Sequence, residues 1–208
     1  MRTAILLSAL FALFLAVPAV HAAPNLTKDA TAFVDNVASR GFNTIKDKRA
    51  GKLTAEQAKV KFRKILNDAF DVQTIARFTL GRYWRVATPA EQKEFTGLIQ
   101  TAILDKYADR VLSYSGDGYN MKDTKAINDK DYAVEMNIKR DAGAAVDFTW
   151  RLRRFGNEFK VIDMSVEGIS MSVTHRADFA SIIERNGGKV QALINALKNK
   201  DTLPSEKK

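Results

Sequence analysis

RRFGNEFKVIDMSVEGISMSVTHRADFASII, residues 153–183, holds a turn, a strand, a break and a helix in succession. Gly156-Asn157 reads as a two-residue hairpin turn, since such turns need backbone angles that glycine and asparagine adopt readily. Behind it the side chains alternate. Ile162, Met164 and Val166 fall on one face, and Val161, Asp163 and Ser165 on the other. Gly168 breaks the strand, and the chain resumes as a helix behind Ser170 or Ser172, either of which can cap it.

Upstream the same period of two recurs. Val134, Met136 and Ile138 alternate with Glu135, Asn137 and Lys139. After a turn at Asp141 to Gly143, Val146, Phe148, Trp150 and Leu152 alternate with Asp147, Thr149, Arg151 and Arg153. With a weaker edge strand over Tyr119 to Ile127, this predicts an antiparallel meander of four strands, apolar on one face and charged on the other.

Elsewhere the period is that of a helix. Leu26 to Lys48 carries Ala30, Phe33, Val34, Val37, Ala38 and Ile45 on one stripe, and Gly51 ends it. Thr54 to Gln57 has the form of a capping box ahead of Ala58, Phe62, Ile65, Leu66 and Ala69. Asp71 caps a short helix that stops at Gly81. Thr88-Pro-Ala-Glu91 opens the next with a cap, a proline in the first turn and a glutamate three residues on. Two more follow, over Val173 to Arg185 and Lys189 to Lys198. A sheet with one apolar side must be covered, and amphipathic helices precede and follow it. The fold class is therefore α+β: a curved four-stranded antiparallel sheet covered by about six helices.

Residues 1–22 read as a secretory leader. Arg2 is its basic start, Ala4 to Val17 its apolar run, and Val20-His21-Ala22 supplies small residues for cleavage. The run falls short of the roughly 20 residues a bilayer span needs; a retained anchor is the competing reading. Residues 23–200 form one domain large enough for a sizeable core, and 201–208 read as a disordered tail. The chain has no cysteine, which removes disulfides, Cys-ligated metal and thiol catalysis. Its formal net charge of +9 is scattered along the chain. Solubility and docking to anionic surfaces both account for that charge. Nucleic acid does not fit, because no basic stripe is interleaved with stacking aromatics.

No catalytic constellation emerges. His175 is the one histidine beyond residue 22, and its neighbours Asp178 and Glu184 have no recognised catalytic or metal spacing. A surface or capping role suits it. No phosphate loop, dinucleotide fingerprint or nucleophile elbow occurs, so no metal and no cofactor is expected. An enzyme would need Asp147, Asp163 or Glu135 turned inward, and the alternation places all three outward.

Ala76-Arg-Phe-Thr-Leu-Gly-Arg-Tyr-Trp-Arg85 and Val161-Ile-Asp-Met-Ser-Val-Glu-Gly-Ile-Ser-Met171, with Phe95 and Asn186-Gly-Gly188, resemble the MlaC/toluene-tolerance family. The resemblance implies a loosely NTF2-like fold whose sheet wraps a cone-shaped apolar cavity. It also implies a periplasmic, non-enzymatic phospholipid carrier that maintains outer-membrane lipid asymmetry. Its partners would be a lipid-binding subunit of an inner-membrane ABC transporter and an outer-membrane lipoprotein–porin complex. A hopanoid-associated relative shares the Gly-Arg-Tyr-Trp and Val-Glu-Gly-Ile-Ser features, which keeps a polycyclic lipid in play.

A carrier needs a lining. From the sheet, Val134, Met136, Ile138, Val146 and Phe148 are candidates, with Trp150, Leu152, Ile162, Met164 and Val166. The helices offer Phe78, Phe95, Ile99, Ile103 and Tyr107, and the strand–helix break offers Ile169 and Met171. Arg82 and Arg85 are candidates for a phosphate at the mouth, since arginine matches phosphate geometry. Periodicity alone does not separate such a pocket from an ordinary filled core.

Overall fold

The computed structural model describes residues 25–114, 116, 118–140 and 143–199, without the side chains of 102–107, 109 and 110. The leader and tail readings, 1–22 and 201–208, lie outside the described residues. Among those described, the chain runs α1 (Leu26–Arg49), α2 (Ala55–Ala69), α3 (Val72–Leu80), a 3-10 turn (Gly81–Arg85) and α4 (Pro89–Leu112). Then come β1 (Tyr119–Ala126), β2 (Asp131–Ile138), β3 (Val146–Phe155), β4 (Glu158–Val166), β5 (Ile169–Ser170), α5 (Met171–Arg185) and α6 (Val190–Lys198).

The start signals act as the residue types require. Thr54 and Gln57 close a reciprocal capping box on α2, and Asp71 accepts from Thr74 N at 3.0 Å to start α3. Thr88 Oγ1 accepts from Glu91 N while Glu91 accepts from Thr88 N. Ser170, not Ser172, caps α5 through Val173 N at 3.1 Å. Each cap satisfies a backbone group that the first helical turn leaves unbonded.

The sheet is antiparallel in the simple order β1-β2-β3-β4-β5. It has five strands where four were expected, because Ile169 and Ser170 fold back on Val166 and Ser165 before α5 begins. A bulge decides which side chains face inward. Trp150 pairs with Met164 and Leu152 with Val161, which leaves Ile162 as an extra residue in β4. Phe159 and Val161 therefore face the core before the bulge, and Met164 and Val166 after it. The simple alternation put Val161 on the wrong face; one inserted residue reverses the parity.

Among the described residues, two large cores and a smaller cluster of Ile45, Ala58 and Leu112 hold the molecule. The first joins the sheet to α1 and α2, with Ala30, Val34, Ile65, Val134, Leu152 and Val161 at its centre. Tyr119 ties the edge strand to α1 by donating to Asp35 Oδ1 at 2.7 Å. Burial and the Asp35 carboxylate push that phenol up to about 12. The second core lies between helices, where α3, α4, α5 and α6 enclose Leu80, Phe95, Ile99, Phe179, Ile183 and Leu193. At the start of β2, the buried Asp131 carboxylate takes bonds from Arg153 Nε at 2.7 Å and Arg151 at 3.2 Å. These guanidiniums, Arg153 first, hold it below the ordinary carboxylate range.

Candidate functional site: an apolar cavity

Only half of the sheet's inner face is filled. Tyr132, Val134, Leu152, Phe159 and Val161 pack against the first half of α1 as a solid core. Beyond Trp150 the same face borders a cavity of about 420 Å³. That lies within the roughly 300–1,000 Å³ of ligand sites. Met136, Ile138, Val146, Phe148, Trp150, Met164 and Val166 form its floor, and Met171 stands at the strand–helix break. All eight are among the side chains expected to line a pocket.

The opposite wall was not expected. α1 contributes Val37, Ala38, Gly41, Phe42 and Ile45, α2 contributes Phe62, Ile65 and Leu66, and α3 contributes Val72 and Ile75. Two features of α1 make the space. Ala38 and Gly41 are small and face inward on adjacent turns, where longer side chains would reach the sheet. The C-terminal ends of α1 and α4 are tied together by Lys48 Nζ on Leu112 O at 3.0 Å and Arg49 on Tyr114 O at 2.5 Å. These cations satisfy carbonyls that the end of α4 leaves without a helical partner.

Several expected lining residues sit elsewhere. Phe95 and Ile99 are fully buried in the helical core, Phe95 edge-on to Phe179 at 5.7 Å. α4 packs on both sides, and the stripe bearing them faces α3, α5 and α6. Val134 and Leu152 face the sheet's filled half. Ile162 is the bulge residue, buried but off the cavity. Phe78 and Ile169 are on the surface, 41% and 63% exposed. The side chains of Ile103 and Tyr107 lie outside the described residues. Arg82 and Arg85 are not at the cavity. They follow the C-terminal end of α3, whereas its N-terminal residues Val72 and Ile75 line the wall, and Arg82 pairs with Glu184 of α5.

Polar groups at the cavity are few. Arg140 supplies a solvent-exposed guanidinium next to Ile138. Gln100 of α4 donates to Asn67 of α2 at 2.9 Å, and both border the space. Two readings of single residues are corrected here. His175, expected at the surface, is 3% exposed, stacked on Phe179 at 5.6 Å, and lines the wall. Asp163, expected to face away, also borders the cavity, although it alternates with Met164 in regular register. Both its oxygens are engaged, with Ser170 Oγ at 2.5 Å and Ser172 N at 3.0 Å. It thus fastens the start of α5 to β4. Among the described residues no group of side chains has the arrangement of a metal site, and no helix is long and apolar enough to cross a membrane.

The family model described as MlaC protein matches residues 35–199, nearly the whole described fold. The chain belongs to the MlaC family. Toluene tolerance protein ttg2D of Pseudomonas putida is 27% identical over 133 residues, which span 64% of this chain and 62% of that protein. The intermembrane phospholipid transport system binding protein MlaC of Haemophilus influenzae is 27% identical over 172 residues, 76% of this chain and 79% of its own. The fold is also that of a phospholipid-binding protein from Ralstonia solanacearum, solved in complex with a phospholipid. The TM-score is 0.72 at 23% identity, over 83% of this chain and 96% of that one.

Proposed function

We propose that this protein is a periplasmic phospholipid carrier that holds the acyl tails of its cargo in the cavity between α1, α2 and the sheet. The observation that carries this reading is the cavity itself: about 420 Å³ walled by aliphatic, aromatic and thioether side chains. Each methylene hidden from water contributes about 0.8 kcal/mol. A flexible lining that includes Met136, Met164 and Met171 adapts to chains of differing length and unsaturation. The names of the relatives from Haemophilus and Ralstonia point to the same cargo class.

In this reading the head group stays at the polar border, with Arg140 as the cation within reach in place of Arg82 or Arg85. The protein loads and unloads at the lipid-binding subunit of an inner-membrane ABC transporter and at an outer-membrane lipoprotein–porin complex, and so maintains lipid asymmetry. It performs no chemistry on the lipid. The inward carboxylate, Asp163, is engaged on both oxygens in fastening the start of α5.

Organic extraction of protein purified from the periplasm, followed by mass spectrometry, tests the proposal. Diacyl phospholipid near one equivalent is expected. A polycyclic lipid in its place would reassign the cargo to hopanoids, and a lipid-free extract from active protein would remove the carrier reading.

A further inference from the structure

One of the segments that carry the family resemblance, Ala76 to Arg85, takes no part in the cavity. It forms instead one side of a surface along the seam between α3 and α5. Arg176 of α5 lies over the Phe78 ring, 5.2 Å from its centroid. It also crosses the end of α3 at Gly81, where a Cβ would stand 2.8 Å from Arg176 Nε. Glycine there, at φ +59°, leaves room for the guanidinium to lie flat. About two turns further along α5, Arg82 meets Glu184. Arg77 and Arg85 are exposed on the same segment. Every base in this strip is arginine, although lysine is the commoner base in the chain.

Exposed apolar side chains lie on the same stretches of chain as these bases, Phe78 and Val86 beside Arg77 and Arg85, and Ile169 and Val173 ahead of Arg176. Phe78, Val86, Ile169 and Val173 are between 41% and 69% exposed, four of the seven large exposed hydrophobics among the described residues. Ile169 and Val173 adjoin the cavity wall, because Met171 and Ser172 on the same turn line it from the other side. Cavity and surface strip thus share two helices, α3 and α5.

We propose that this strip docks the protein on a bilayer surface rich in anionic phospholipid. Arginine forks match headgroup phosphates in pairs of hydrogen bonds, as lysine does not. Short apolar side chains among them enter the boundary between headgroups and acyl chains, the arrangement used by proteins that lie on a membrane. Each such base contributes about fivefold to surface binding. The proposal concerns a contact outside the cavity and holds whatever the cavity contains.

The test is co-sedimentation of the whole protein with vesicles of phosphatidylethanolamine and phosphatidylglycerol, against vesicles of phosphatidylcholine alone. Binding to the first that weakens with added salt is expected. Exchange of Arg77 and Arg176 together for Glu should reduce it about 25-fold or more, and Phe78→Ser with Val173→Ser should reduce it at constant salt dependence. The milder pair Arg77→Gln and Arg85→Gln serves if Arg176→Glu disturbs the fold by circular dichroism. Lys130→Glu, at the end of the sheet away from β5, should change binding little. Equal binding to phosphatidylcholine, or insensitivity to the arginine variants, overturns the proposal. So does retention by protein-bearing inner-membrane vesicles but not by protein-free ones, which would assign the strip to a protein partner. Lipid content measured on the same variants keeps this result separate from the cargo question.

Discussion

Gly41→Leu should make the protein more stable and worse at holding lipid. Gly41 sits inside α1, buried, facing the cavity. A Cβ there meets nothing nearer than Phe62 Cε2 at 3.7 Å, an ordinary contact, so the helix accepts a side chain without strain. Replacing glycine in a helix interior gains about 0.8 kcal/mol from backbone entropy alone. The leucine side chain then buries against Phe62 and the cavity wall, which adds of the order of 1.5 kcal/mol in the lipid-free protein. Its four carbons occupy space otherwise held by about four methylenes of an acyl chain. At about 0.8 kcal/mol each, cargo loses about 3 kcal/mol, a little over 100-fold in affinity. Urea denaturation of delipidated protein reads the first effect, and lipid-to-protein ratio after extraction reads the second. A variant that gains stability yet retains its full lipid complement would show that cargo sits elsewhere.

Three other outcomes follow from the geometry. Asp131→Asn keeps the shape but removes the charge between Arg151 and Arg153, and should lower stability by about 1.5–3 kcal/mol at neutral pH. Because the folded carboxyl lies below its ordinary value, the wild type keeps this stability above about pH 4 and loses it as pH falls through the folded value; acid titration of the variant should lack that limb. Gly81→Ala strains a positive-φ position and displaces Arg176, so a loss of about 1–3 kcal/mol is expected in thermal melts, with lipid content unchanged. Trp150 lines the cavity and donates to Met136 Sδ at 2.9 Å, so in a Trp84→Phe background its fluorescence should shift on delipidation and return on reloading; an invariant spectrum would place the cargo away from the floor.

Local signals carried most of the fold because they depend on a few neighbouring residues. The capping box at Thr54, the Thr88-Pro-Ala-Glu91 start and the Gly156-Asn157 turn each specify a backbone state within four residues, and each formed. The site was half legible. Alternation identified the inner faces of β2 and β3, but not that α1 fills one half of the sheet and leaves the other open. That division depends on Ala38 and Gly41 meeting strands roughly a hundred residues away. Ile162 was misplaced because a bulge has no signature in a run of alternating residues. Phe95 and Ile99 were misassigned because α4 is apolar on two sides, and periodicity does not say which side meets which neighbour. His175 looked like a surface residue for want of partners in sequence, although it is buried by α5 packing against the cavity.

The two-core arrangement explains how a domain can keep so large a vacancy. An unfilled apolar void costs about 24 cal/mol per Å³ in mutational series, so 420 Å³ corresponds to about 10 kcal/mol if it were wholly dry and sealed. That is comparable to the entire stability of an ordinary domain. A single core interrupted by such a void would not survive the loss of its occupant. Here the cost falls on one half of the sheet only: the first core shares Val37, Ala38, Ile65, Met136 and Trp150 with the cavity, while no fully packed residue of the helical core of Phe95, Phe179 and Leu193 lines it. In the proposed carrier, cargo would therefore act as removable core: its tails would complete the packing when present, and its departure would leave the filled half of the sheet and the helical core to hold the walls in place for the next molecule.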